Sequence, residues 1–137
     1  MPERQKIEYE HLETGYEFHP ASYRLDIGMV AAYLRAVGDT SPLHHDSEIV
    51  PPMAVAALAM TSLLESISLP GGTIHVSQEI EFIDPVSVKD TITCHARVSR
   101  KHERGKLHLM TIELNVLNQT QEAVLSGKTS FILPQED

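Results

Sequence analysis

Two side chains that could activate a water molecule lie close together in the segment Gly38-Asp39-Thr40-Ser41-Pro42-Leu43-His44. A carboxylate and an imidazole can hold one water between them and exchange its protons, which is general acid and base catalysis. Pro42 lies between the two and restricts the backbone, so both side chains would stay aimed at one point. The segment therefore predicts a water-activating site formed by Asp39 and His44.

The elements on either side of this segment are predicted to be helices. Asp26 is a plausible N-cap for a helix from Ile27 to about Val37, because the apolar residues of that stretch recur on one face. A second helix is predicted from about Pro52 to Ile67, since proline suits the first turn of a helix. Every residue from Met53 to Met60 is Met, Ala, Val or Leu, so we expect protein to enclose this helix on all sides.

The rest of the chain is predicted to form a sheet. After Pro70-Gly71-Gly72, apolar and polar residues alternate over 74–82, about 91–98, 107–117 and 123–133. The first of these strands carries Ile74, Val76, Ile80 and Phe82 on one side, which predicts one buried and one solvent-facing side. A short strand is possible at 22–25. Helices followed by an antiparallel meander of long strands predict a single α+β domain, 1–137, with a sheet wrapped around the second helix.

Charge and composition exclude several classes of protein. With 11 Lys and Arg against 19 Asp and Glu, the net charge of −8 argues against a general nucleic-acid binder. The lone Cys94 cannot form an internal disulfide, and this fits a reducing cytoplasm. The charged N-terminus lacks the apolar stretch of a signal peptide, and the longest apolar run is far shorter than the ~20 residues that span a bilayer. We therefore expect a cytoplasmic protein without membrane contact.

The segment from Tyr33 to Asp46 resembles the signature of the MaoC-like, (R)-specific enoyl-CoA hydratase family. The matching residues are Tyr33, Gly38, Asp39, Pro42, Leu43, His44 and Asp46. Val37 replaces a small residue of that pattern, and Ser41 replaces an Asn. Val50-Pro51-Pro52-Met53 and the strand Ile80-Glu81-Phe82-Ile83-Asp84-Pro85-Val86 are similar to the family's helix start and to one of its strands. The resemblance extends over roughly residues 22 to 133.

This resemblance implies a hot-dog fold, in which an antiparallel sheet is wrapped around one buried central helix. It also implies reversible hydration of a trans-2-enoyl thioester to the (R)-3-hydroxyacyl thioester, with Asp39 and His44 holding the water. The substrate would be an acyl-CoA or an acyl carrier protein thioester. Coenzyme A is then part of the substrate, and neither a metal nor a redox cofactor is implied.

The start of the second helix is the predicted place for the thioester carbonyl, because free amides and the positive end of the helix dipole lie there. Many members of the family have a glycine at the position of Pro52 and use its amide for this purpose. Since Pro52 has no amide hydrogen, we expect Met53 or Ala54 to supply the donor. The predicted substrate-binding residues are Ser41, Pro52, Met53 and Ala54.

Two other functions remain open from the sequence. A hot-dog acyl-CoA thioesterase also uses a carboxylate and a helix terminus, but it attacks the carbonyl carbon and releases a thiol. Alternatively, the chain could be the acyl-binding subunit of a heteromeric hydratase. A metal at His44 and His45 is not expected, because no second cluster of ligands at suitable spacing accompanies them.

Two surface features complete the sequence-based expectations. A basic patch contains Arg97, Arg100, Lys101, Arg104 and Lys106. A solvated turn is the favoured explanation of this patch, and contact with coenzyme A phosphates or with an acidic carrier protein is the other. Because an open sheet has exposed edges that a second copy can cover, we also expect a homodimer.

Overall fold

The computed structural model describes residues 6–38 and 48–134. Two α-helices lie within these ranges, α1 (Ile27–Val37) and α2 (Pro52–Leu64), together with a 3-10 turn at Tyr9–His11. The strands are β1 (Ile7–Glu8), β2 (Ala21–Arg24), β3 (Ile67–Ser68), β4 (Ile74–Phe82), β5 (Thr91–Arg104), β6 (Leu107–Leu117) and β7 (Ala123–Pro134). Neither helix has the length and apolarity required to span a membrane.

Helix α1 has the predicted bounds and the predicted cap. The Asp26 carboxylate accepts a hydrogen bond from the Met29 amide at 2.8 Å, which satisfies one of the amides left free in the first turn. The helix ends at Gly38, whose φ of 71° is in the left-handed region that favours glycine. Val30 and Leu34 bury the inner face of α1.

Five strands form one antiparallel sheet in the order β2-β5-β6-β7-β4. The hairpins β5–β6 and β6–β7 confirm part of the predicted meander, whereas β4 pairs with β7 at the far edge and not with β5. The segment between β4 and β5 is bonded to the residues ahead of α2. The Val50 amide donates to Val86 at 2.7 Å and the Val88 amide donates to Glu48 at 2.6 Å. These bonds lead the chain away from β4, so the two strands cannot form a hairpin.

Helix α2 packs against the inner face of the sheet and ends earlier than predicted. Its last residue is Leu64, because Ile67 and Ser68 pair in parallel with Ile7 and Glu8. The small residues Ala54, Ala56 and Ala59 are buried and bring the helix close to the sheet. The expectation that protein encloses α2 on all sides is wrong for the single chain, since Met53 is 54% exposed and Leu64 is 42% exposed.

Strand β4 also differs from its prediction. Eight of its nine residues are exposed, so it has no buried side in the single chain. A β-bulge adds Val76 between His75, which pairs with Phe131, and Ser77, which pairs with Ser130. The bulge reverses the alternation, and His75 therefore lies on the same face as Ile80. Strict alternation of side chains along the strand would instead place His75 and Ile80 on opposite faces.

Candidate active site

The segment expected to carry the acid and base lies between two anchored points. It follows α1 directly, since the amide of Gly38 closes that helix on the carbonyl of Arg35 at 3.2 Å. At its other end, Ile49 forms a bridge with Ser87 just before α2 begins. Asp39, Ser41 and His44 themselves lie outside the described residues. The structure thus places the end of α1 and the start of α2 on either side of the predicted water-activating segment.

The first turn of α2 is short of amide donors. Pro51 is the N-cap and Pro52 is the first helical residue, and neither has an amide hydrogen. The Ala54 amide donates to the Pro51 carbonyl at 2.9 Å. Within 6–38 and 48–134, the Met53 amide makes no hydrogen bond. Of Pro52, Met53 and Ala54, Met53 is therefore the residue whose amide has no acceptor in the described part of the chain.

An apolar cavity of about 260 Å³ lies beside this turn. Pro52 and Val55 of α2 form one wall, and the segment that follows β4 forms the opposite wall. Its lining comprises Ile49, Val50, Pro52, Val55, Phe82, Ile83, Asp84, Pro85, Val86 and Val124. The Val50–Val86 backbone bond holds the two walls together. Sequence reasoning missed this pairing, for which the apolar character of the two valines was the available signal.

Cys94 lies in the core, where its thiol is buried. It belongs to the same buried cluster as Ala54 and Val55. Burial raises the pKa of the Cys94 thiol from 9.0 to about 11. The thiol is therefore protonated near neutral pH and cannot attack a thioester as a thiolate.

Residues 13–126 match the family model described as FAS1-like, dehydratase domain region. The chain belongs to the MaoC-like family of hot-dog dehydratases. No curated protein sequence matches the chain. The match confirms the predicted family, and with it a family of hydratase and dehydratase enzymes.

Solved structures confirm the α+β hot-dog fold of this MaoC-like chain. The (R)-hydratase PhaJ1 from Pseudomonas aeruginosa is 22% identical with a TM-score of 0.83, over 97% of this chain and 89% of the other. The (R)-hydratase from A. caviae involved in PHA biosynthesis is 27% identical with a TM-score of 0.77, over 91% and 99%. A MaoC-like dehydratase from Rhodospirillum rubrum is 22% identical with a TM-score of 0.78, over 94% and 97%.

The cations of the basic patch have different partners in this MaoC-like chain. The Lys101 ammonium donates to the backbone carbonyls of Tyr9 and Leu12 at 3.2 and 2.8 Å, so it fastens the N-terminal segment to β5. Arg97 forms an ion pair with Glu113 at 2.7 Å. None of the five cations lines the cavity beside α2. In the part of the chain that the structure describes, no three His, Cys, Asp or Glu side chains are grouped to hold a metal ion.

Proposed function

We propose that this chain catalyses the reversible addition of water to a trans-2-enoyl thioester, which gives the (R)-3-hydroxyacyl thioester. The observation that carries the proposal is the combination found at the start of α2. The Met53 amide donates to no acceptor among the described residues, an apolar cavity lies beside Pro52, and both come shortly after the segment with Asp39 and His44 in the sequence. Membership of a family of hydratases and dehydratases supports the same reaction.

The reaction requires an activated water, a proton donor for the α-carbon and stabilisation of the negative charge on the carbonyl oxygen, and residues of this chain can supply each. Asp39 and His44 hold the water, one accepting a proton from it while the other delivers a proton to the α-carbon. The water oxygen bonds to the β-carbon, and the carbonyl oxygen carries the enolate charge that develops. The Met53 amide and the positive end of the α2 dipole stabilise that charge. Only protons and water are transferred, so the reaction requires no electron acceptor.

The cavity beside α2 is the proposed site for the acyl chain. Its walls are mainly aliphatic and aromatic, and such walls favour burial of a hydrocarbon chain. Ala54, in the same turn, is 8% exposed and belongs to the core behind Pro52 and Val55, so its proposed role is to support the wall of the cavity. Ser41 is proposed to hydrogen-bond within the loop that carries Asp39, at the position before Pro42. Coenzyme A, or the pantetheine arm of a carrier protein, would extend outward from this site.

We further propose that the active form is a homodimer in which a second copy covers β4. The outer edge of this strand pairs with no described strand. Ile74, Val76, Phe82 and Ile83 are 58%, 45%, 44% and 44% exposed on β4 and just after it. Phe82 and Ile83 also line the acyl cavity. A second copy on this edge would bury these side chains and close the cavity from solvent.

The test is a hydration assay with a series of trans-2-enoyl-CoA thioesters of increasing length. Loss of enoyl absorbance without release of free thiol supports the proposal. Release of thiol from the saturated acyl-CoA of the same length would instead assign a thioesterase. Binding of enoyl-CoA without turnover, by the pure chain with Asp39 and His44 intact, would contradict the proposal and favour a binding subunit.

A further inference from the structure

A tight turn at residues 87–90 connects the cavity wall that follows β4 with the first residue of β5. The Asp90 amide donates to the Ser87 carbonyl at 3.0 Å, which closes a β-turn. Lys89, the third residue of this turn, has a φ of 83°, in the left-handed region that favours glycine. The backbone conformation of the turn is therefore unfavourable by itself, and we expect side-chain bonds to stabilise it.

The Asp90 carboxylate makes those bonds. Its Oδ2 atom accepts a hydrogen bond from the Ser87 amide at 2.8 Å. Its Oδ1 atom accepts one from the Gln119 side-chain amide at 3.0 Å, and the Gln119 Oε1 atom accepts one from the Thr91 amide at 3.1 Å. Gln119 belongs to the turn between β6 and β7, so it ties the 87–90 turn to the sheet. Hydrogen bonds to a carboxylate are stronger than those between neutral groups, which suits Asp90 to hold this turn.

The 87–90 turn is bonded to the chain on both sides of the stretch that contains α1 and the predicted acid and base. Ahead of α1, the Leu25 amide donates to the Asp90 carbonyl and the Lys89 amide donates to the Leu25 carbonyl, each at 2.9 Å. Ahead of α2, the Val88 amide donates to the Glu48 carbonyl at 2.6 Å. One turn therefore holds both ends of this stretch.

Buried side chains connect the 87–90 turn to the start of α2. Leu25, Val50 and Val86 are 2%, 2% and 4% exposed and belong to one core cluster. Val50 is bonded to Val86 and directly precedes the two prolines that begin α2. Because a packed interior transmits a displacement to its neighbours, movement of the turn would also move the first turn of α2 and the cavity wall.

We propose that Asp90 is a positioning residue for the hydration reaction, acting through its turn on the start of α2 and on the segment with Asp39 and His44. This inference rests on the proposed function. Asp90 does not line the acyl cavity, so it acts through the groups that it holds, which include the Met53 amide. Misplacing groups that act in the transition state lowers kcat, whereas KM changes less when substrate binding is kept.

Three variants separate positioning from a purely structural role, with kcat expressed per folded molecule. Asp90→Ala removes both bonds of the carboxylate and should lower kcat for trans-2-butenoyl-CoA about 10-fold, with KM changed by less than about 2-fold. Asp90→Asn keeps an acceptor for the Ser87 amide and should recover part of that loss. Gln119→Ala removes only the tie to the turn between β6 and β7, so its loss should be smaller than that of Asp90→Ala.

The matched control is Thr120→Ala, which should keep the wild-type kcat. The Thr120 hydroxyl bonds to Asn118 and Glu122 at 2.8 and 2.7 Å, inside the turn that also contains Gln119. The control therefore disturbs the same turn and leaves the Asp90–Gln119 bond in place.

Amide hydrogen exchange provides a second measurement that does not require activity. Asp90→Ala should speed exchange of the Val50 and Val88 amides, whose acceptors lie beside the 87–90 turn, by at least about 10-fold. Exchange of the Ile112 amide, in the centre of the sheet, should change less. A difference between these sites reports local release and not a general loss of stability.

A lower Tm for Asp90→Ala with an unchanged kcat would overturn the proposal, because Asp90 would then only stabilise the fold. Equal losses of kcat in Gln119→Ala and Thr120→Ala, no recovery in Asp90→Asn, or unchanged exchange at Val50 and Val88 would also overturn it. A wild type that hydrates no enoyl thioester would instead contradict the proposed function. The exchange data would still decide whether Asp90 holds the start of α2.

Discussion

The amide nitrogen of Ala54 donates a hydrogen bond to the carbonyl oxygen of Pro51 at 2.9 Å. Pro51 and Pro52 lack amide hydrogens and this bond engages the Ala54 amide, whereas the Met53 amide donates to no acceptor within residues 6–38 and 48–134. The sequence alone left Met53 and Ala54 as equal candidates for polarising a thioester carbonyl. The local hydrogen bond distinguishes them, because it engages the Ala54 amide and not the Met53 amide.

Met53→Pro should lower the hydration rate by about 100-fold while the helix remains, because removal of one preorganised donor typically costs that much. Proline is tolerated in the first turn of a helix, where the amide has no intrahelical partner. Met53→Ala is the matched control, since it shortens the side chain and keeps the amide. Steady-state kinetics of both variants, with far-UV circular dichroism as the folding control, check the prediction. Equal rates in the two variants would show that this amide is not used.

His75→Ala should destabilise the fold by about 1–2 kcal/mol, because it leaves a buried hydroxyl without a partner. The Nε2 atom of His75 lies 2.6 Å from the Thr129 hydroxyl, and Thr129 has no solvent exposure. Adding Thr129→Val to His75→Ala should recover part of the loss, since the unpaired group is then removed. Urea unfolding of the two single variants and the double variant measures this coupling. Strictly additive free energies would contradict it.

Gly127→Ala should weaken the pairing of β4 with β7. A Cβ atom at this position would lie 2.4 Å from the backbone carbonyl oxygen of Glu79, so the strands would have to move apart. Forced shifts of a packed backbone cost about 1–3 kcal/mol. The unfolding free energy of Gly127→Ala, compared with that of Ser126→Ala on the same strand, tests this. A smaller loss for Gly127→Ala than for the control would show that β4 adapts without cost.

Cys94 should make stability depend on pH in the alkaline range. Its pKa is raised by burial from 9.0 to about 11, so the unfolded chain loses the thiol proton first as pH rises. The contribution to stability is therefore full below pH 9 and is lost between pH 9 and about 11. The difference in unfolding free energy between wild type and Cys94→Ala, measured from about pH 8 to about pH 10.5, should shrink with rising pH. A constant difference would mean that the thiol titrates alike in both states.

Much of the fold could be predicted from local pattern, and the failures have nonlocal causes. The bounds of α1 followed from the Asp26 cap and from Gly38, and those of β4 and β6 followed from alternation and turn residues. The end of α2 was wrong because Ile67 pairs with Ile7, sixty residues away. Strand β4 was assigned a buried side because a sequence does not reveal that a strand will lie at an edge.

The candidate site was also predictable only in part from the sequence. The fixed spacing of Asp39 and His44 made the acid and base predictable as residue types and led to the family, which the family model confirms. Their roles stay predictions, since both lie outside the described residues. The cavity beside Pro52 depends on Val50 meeting Val86, and no local pattern contains that contact.

The central claim is tested most directly by the rate at which the purified chain hydrates trans-2-butenoyl-CoA, measured for the wild type and for Asp39→Asn. We predict (R)-3-hydroxybutyryl-CoA from the wild type and a rate at least about 100-fold lower from the folded Asp39→Asn variant, because the water loses its carboxylate. His44→Ala should behave alike. Turnover by Asp39→Asn at the wild-type rate would contradict the role of Asp39 in holding the water.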